Sequence, residues 1–177
     1  MSISETGESG VFKEYLQHDA TGLAELIAGG EVSAGEVLEA ALARAAEVNP
    51  QLAAICIPME DIARQRAQAA LHGPFAGVPF LLKDIGQDYA GVPSTSGSRA
   101  LRHWVPQQHA EVVRRFLDAG LVVFGKTATP EFALRAETAP RIWQRPTRNP
   151  WDPERTPGGP SGGSAAAVAA GIVPAAG

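Results

Sequence analysis

Apolar residues recur at helical spacing in the first third of the chain and bunch into short continuous runs in the middle. Leu23, Leu26 and Ile27 form one face that gives way to Gly29-Gly30, so the spacing predicts a short helix ending there. Ser33-Ala34-Gly35-Glu36 has the form of a capping box, and Val37, Leu38, Ala41, Leu42 and Ala45 make the apolar face of a second helix that Asn49-Pro50 is expected to stop. Ala53 to Ile57 reads as a short buried strand, and Asp61 to Leu71 as an alanine-rich helix ahead of Gly73-Pro74. Val78 to Ile85 is a core strand with proline near its entry. A helix follows through Val112, Val113, Phe116 and Leu117, closed by Gly120, and Leu121 to Phe124 is another buried strand. Strand, helix and strand in this order predict an α/β fold class.

Two long stretches carry no such period. Residues 87–106 hold Gly91, Pro93 and Gly97 among several hydroxyl residues, a composition that in a compact domain marks functional surface. Residues 140–160 are rich in proline and contain Trp143 and Trp151, which predicts an extended, ordered connection.

With 177 residues, 45% hydrophobic and 19% charged, the chain has the make-up of a packed globular domain. A net charge of -4 without any cluster of basic residues gives no reason to expect nucleic acid. The apolar tail from Ala165 is interrupted by Gly171 and Pro174 and is too short to cross a bilayer, so no membrane is expected. The acidic start has no apolar secretion segment. We therefore expect a cytoplasmic protein with a flexible N-terminus over residues 1–18. Cys56 is the one cysteine and reads as a small core residue; His18, His72, His103 and His109 lack metal-ligand spacing, so neither a metal nor a cofactor is expected.

The densest chemistry lies where Thr156-Pro157-Gly158-Gly159-Pro160-Ser161-Gly162-Gly163-Ser164 runs into Ala165-Ala166-Ala167-Val168-Ala169-Ala170-Gly171. A glycine-and-serine loop entering a small-residue helix brings backbone N–H groups, hydroxyls and a helix N-terminus together. On its own this is either a turn capped by Ser161 or Ser164, or an anion site. The segment resembles the glycine/serine-rich signature of the amidase signature family, which hydrolyses amide C–N bonds with a Ser-cis-Ser-Lys triad. Gly77-Val78-Pro79-Phe80-Leu81-Leu82-Lys83-Asp84 resembles the family's lysine segment. Gly125-Lys126-Thr127 with Pro130-Glu131-Phe132, and Pro146-Thr147-Arg148-Asn149-Pro150-Trp151, match two further stretches in the same order. The resemblance covers essentially everything from Leu23 onward.

It implies the N-terminal portion of the amidase signature fold, a mixed β-sheet core surrounded by helices, incomplete over residues 19–177 and ending before the nucleophile segment. It also implies a small-molecule amide substrate, and Lys83 as general base. Burial beside Phe80, Leu81, Leu82 and Ile85 would disfavour the ammonium form, while strand alternation sends Asp84 to the opposite face. The plain alternative is a strand-end lysine whose stem reaches solvent.

Two departures stand out. The family loop reads Gly-Gly-Ser-Ser-Gly-Gly with the first serine as the cis-serine, and here that position is Pro160. Proline's side chain can neither donate nor accept, so the relay between lysine and nucleophile is expected to be lost. Ser161 is the substitute, expected to point elsewhere because adjacent side chains diverge. The nucleophile, in an Asp-x-Gly-Gly-Ser segment of the family, has no counterpart in this sequence. A cis bond costs about 0.5–1 kcal/mol before proline against about 2.5–4 kcal/mol otherwise, so Gly159-Pro160 is expected to be cis.

The resulting expectation is a chain inactive by itself, retaining Lys83 and the Gly158, Gly159, Gly162, Gly163 and Ser164 loop, and prone to self-association through uncovered sheet edges. A non-catalytic scaffold that binds a ligand or partner is the alternative. A rival pattern, the GxxxxGK[ST] spelling of Gly120 to Thr127, lacks the context of a nucleotide-binding loop, because its intervening residues are a β-type run and Pro130 follows closely. Lys126 is therefore read as structural. Glu131 is read as a helix-start carboxylate at a recurrent family position.

Overall fold

The computed structural model describes residues 12–177; residues 1–11 of the expected flexible start lie outside the described residues. From residue 12 the chain is part of the fold. Tyr15–Gln17 form a turn of 3-10 helix, and buried Tyr15 donates its hydroxyl to Ile172 O at 2.8 Å, tying the start of the described chain to its last residues.

Helix α1, Ala20–Gly29, starts at Asp19, whose carboxylate accepts from Gly22 N, and ends at Gly30 in the left-handed region (φ 73°). Helix α2, Ala34–Leu52, opens with the predicted capping box between Ser33 and Glu36. It does not stop at Asn49-Pro50. The helix absorbs the proline in its last turn because that turn is anchored from outside. Leu52 is buried, Ala53 N donates to Asn49 O at 2.9 Å, and the Asn49 amide bonds both backbone groups of Ile55. These contacts outweigh the missing N–H of Pro50.

A three-stranded sheet follows, with strand order β1-β3-β2. Strand β1 (Ile55–Pro58) runs antiparallel to β3 (Val122–Thr127), and β2 (Pro79–Lys83) runs parallel to β3. The sheet is thus mixed and the fold α/β, as expected. Helix α3 (Glu60–Ala67) is shorter than the run to Leu71 predicted, and α4 (Glu111–Asp118) leads into β3. Between β2 and α4 the chain is irregular apart from a 3-10 turn at Arg99–Leu101; between Ala133 and helix α5 (Gly162–Ala169) there is no regular element. Leu23, Val37, Leu38, Val78, Leu81, Leu82, Val113, Val122, Val123 and Ile172 form one continuous core between helices and sheet. Each side chain of this kind contributes about 1.5–3 kcal/mol on burial.

Strand β3 is buried at all six positions, and its Lys126 has no exposed surface. The ammonium pairs with Asp84 Oδ1 at 3.0 Å and donates to Pro93 O at 3.1 Å and Ser94 Oγ at 2.9 Å, so all three of its protons have acceptors. Asp84, equally buried, also accepts from Thr95 N at 3.0 Å and from the Thr95 hydroxyl. Gly125-Lys126-Thr127 is sheet interior and cannot cradle a phosphate, which disposes of the nucleotide-loop spelling. Among the described residues no helix is long and apolar enough to cross a membrane.

Removing one partner of a buried, hydrogen-bonded ion pair costs about 3–5 kcal/mol. Lys126→Met is expected to destabilise the chain by that amount in urea unfolding followed by tryptophan fluorescence. A loss below about 1 kcal/mol, the range of exposed pairs, would contradict the role given to this lysine.

Candidate active site

Lys83 is the last residue of β2, with its backbone N–H donating to Gln87 Oε1 at 2.7 Å. Strand alternation separates it from Asp84, which faces the Lys126 side. Its side chain is half-buried, and desolvation lowers its pKa from the ordinary value of 10.5. Because the folded value lies below the unfolded one, the unfolded chain binds the proton more tightly between the two. From this group alone, folding is therefore penalised below Lys83's lowered value and the penalty is relieved as pH rises through the window up to 10.5.

Opposite Lys83 stands the start of α5. Ala165, Ala166 and Ala167 favour helix, and the glycines before them let the first turn press onto the end of β3. Gly163 N donates to Ala128 O at 3.1 Å, and a Cβ added at Gly163 would fall 2.5 Å from Ala128 N and O. Gly162 is packed just as tightly against Thr138. The Gly159-Pro160 bond is cis. Two threonine hydroxyls hold the carbonyls around it, Thr138 to Gly158 O at 2.9 Å and Thr129 to Pro160 O at 3.0 Å.

Neither serine caps α5. Ser161 occupies the N-cap position without a side-chain capping bond, and its hydroxyl instead meets Lys83, whose Nζ donates to Ser161 Oγ at 2.8 Å. The expectation that Ser161 points elsewhere is therefore corrected: the two groups are in direct contact. Ser164 is buried, its Oγ 2.7 Å from Thr127 Oγ1 and donating to Gly177 O at 2.5 Å, so it locks α5 to β3 and is not a helix-start cap. Pro160, the residue before Ser161, has no polar side-chain atom to offer the pair.

Around this centre the 94–98 loop is pinned by the Asp84–Lys126 network. Ser98 donates to Glu131 Oε1 at 2.6 Å, joining that loop to the Glu131–Ala133 turn. The sequence reading missed Thr127, Thr129 and Thr138 as positioning groups; a lone threonine on a strand end or in a loop carries no pattern that separates it from its neighbours. Cys56 lies in the wall of a cleft of about 530 Å³ that also takes in Leu42, Phe124, Trp143 and Arg145 but neither Lys83 nor Ser161. Burial pushes the Cys56 thiol up, with Asp84 adding to the effect, so it is held as a thiol and not a nucleophile. His109 accepts from Ala90 N at 3.0 Å and packs edge-on against Tyr89, as a satisfied residue.

A family profile described as Amidase matches residues 36–177, and the chain belongs to the amidase family. It is 44% identical over 163 residues to a 6-aminohexanoate-cyclic-dimer hydrolase of Paenarthrobacter ureafaciens, an alignment that takes in 91% of this chain and 33% of that relative. The solved structure of a 6-aminohexanoate cyclic dimer hydrolase superposes with a TM-score of 0.87 at 44% identity, covering 91% of this chain and 33% of that one. A bacterial aryl acylamidase of the amidase signature family gives 0.82 at 32% identity, covering 88% and 34%. The chain thus spans about a third of the length of the relatives it matches.

The close approach at Gly163 sets where Ser161 stands. Gly163→Ala is expected to force α5 away from β3 and cost about 1–3 kcal/mol, as overpacking does. Unfolding midpoints of this variant and of Gly35→Ala, a helical position where a Cβ would make only an ordinary 3.8 Å contact with Ser33 Oγ, make the comparison. Equal stabilities of Gly163→Ala and the unaltered chain would refute the contact.

Proposed function

We propose that this chain carries the lysine-and-hydroxyl part of a site that hydrolyses carboxylic amide C–N bonds through an acyl-enzyme. The observation that carries the reading is the 2.8 Å contact between Lys83 Nζ and Ser161 Oγ, with the amine's proton affinity lowered by desolvation. In its neutral form Lys83 accepts the Ser161 proton, and Ser161 in turn takes the proton of an attacking hydroxyl. The hydroxyl that the family places at position 160 is thereby supplied one residue later, while Pro160 keeps only a backbone role. Proton return along the same path reaches the leaving nitrogen, which amide cleavage requires because an amide anion is too basic to leave.

Such a relay needs a second hydroxyl beyond Ser161. Among the described residues Lys83 is the hydrogen-bond partner of Ser161 Oγ, and we expect the 177-residue polypeptide assayed alone to release no ammonia or amine from simple carboxamides. A chimera tests the site itself: this chain joined to the remaining two thirds of the Paenarthrobacter ureafaciens relative, assayed for amine release. Turnover should appear, and Lys83→Ala and Ser161→Ala should each lower it by about 10²–10⁴-fold, the usual weight of acid–base catalysis. Full turnover in the Ser161→Ala chimera, or turnover only after Pro160→Ser, would overturn the assignment of the relay to Ser161. Carboxamide binding without turnover in every chimera would favour the non-catalytic scaffold.

A further inference from the structure

The pair has a second chemical capacity that needs nothing beyond this chain: we propose that Ser161 is itself a nucleophile that takes an acyl group from activated esters. It goes beyond amide hydrolysis, since it asks for no further hydroxyl and no protonated leaving group. Three observations support it. Ser161 Oγ touches Lys83 Nζ at 2.8 Å and makes no capping bond that would compete for its lone pairs. Ser161 and its neighbours Gly159 and Pro160 are exposed, so a small acyl donor reaches the oxygen from solvent. The residue stands at the start of α5, where the helix dipole favours the negative charge that develops on attack.

No carboxylate competes for the amine from its own strand. Asp84 is turned to the other face and neutralised by Lys126, and the neighbour on the Lys83 backbone is the uncharged Gln87. Lys83 is therefore free to accept a proton from Ser161.

Ser161 Oγ attacks the ester carbonyl carbon as its proton passes to the lone pair of neutral Lys83 Nζ, forming a tetrahedral intermediate. The carbon–oxygen bond to the leaving group then breaks, expelling an aryl oxide with the bonding pair. The products are acyl-Ser161, the Lys83 ammonium and the aryl oxide. An aryl oxide leaves without a proton, whereas an amide nitrogen does not, so the same dyad acylates with esters while failing to turn over amides.

Incubating the 177-residue chain with p-nitrophenyl acetate tests this. A burst of about one nitrophenolate per chain is expected, as in covalent catalysis with slow deacylation, with one acetyl group found by peptide mass spectrometry on Ser161. Ser161→Ala should abolish the burst, and Lys83→Arg, which keeps a donor but cannot act as a base near neutrality, should slow it at least tenfold. Lys83→Gln serves as the second variant, with far-ultraviolet circular dichroism reporting the fold of each. Absence of acetylation, an acetyl group on Lys83 in place of Ser161, or equal Ser161 acetylation in both folded lysine variants would overturn the proposal. Loss of the acylation alongside an active amide-hydrolysing chimera would sink the nucleophile role and leave the relay standing.

Discussion

A carboxylate taken out of water pays several kcal/mol, and Asp84 is withdrawn completely. It is tolerated there because Lys126, from the neighbouring strand, meets it at 3.0 Å and because Thr95 supplies two further hydrogen bonds. The demand for satisfaction runs outward from this pair. Lys126 has two protons left, and their acceptors, Pro93 O and Ser94 Oγ, belong to the irregular segment after β2. One buried charge therefore organises a strand pair and the loop beside it. From that loop Ser98 reaches Glu131, extending the order to the next turn.

The same strand geometry prepares the other face. Lys83 and Asp84 are adjacent in sequence and opposite in direction, so the interior pairing of Asp84 leaves Lys83 without its nearest potential counter-ion. Desolvation then acts on the amine unopposed and lowers its proton affinity. The two lysines of this sheet illustrate how surroundings decide role: Lys126 is held as a structural cation by three acceptors, and Lys83 is held near a single hydroxyl. Gly163 completes the arrangement by letting α5 approach β3 closely enough for Ser161 to meet Lys83.

The legible parts of the fold were those fixed by local chemistry. The capping box at Ser33, the left-handed stop at Gly30 and the buried runs of β2 and β3 follow from residue types at short range. The end of α2 was misread because the residues that carry it through Pro50 act from its tertiary surroundings, through buried Leu52 and the Asn49–Ile55 clasp. The direction of Ser161 was misread for a related reason. Its backbone (φ -98°, ψ 35°) is neither helical nor extended, and the carbonyls leading to it are held by Thr129 and Thr138, more than twenty residues back along the chain. A rule about adjacent side chains has no access to such contacts. Proline at 160 drew attention to a missing hydroxyl and away from the one beside it.

The central claim is that this fold holds Lys83 as an amine poised to accept a proton from Ser161. Titrating the Lys83 side chain by heteronuclear NMR, with Nζ and Cε shifts assigned through Lys83→Arg, tests that claim most directly. The account predicts a midpoint below the ordinary 10.5. A midpoint at or above that value would show a solvated or paired ammonium, and the chemistry assigned to the dyad would fall with it.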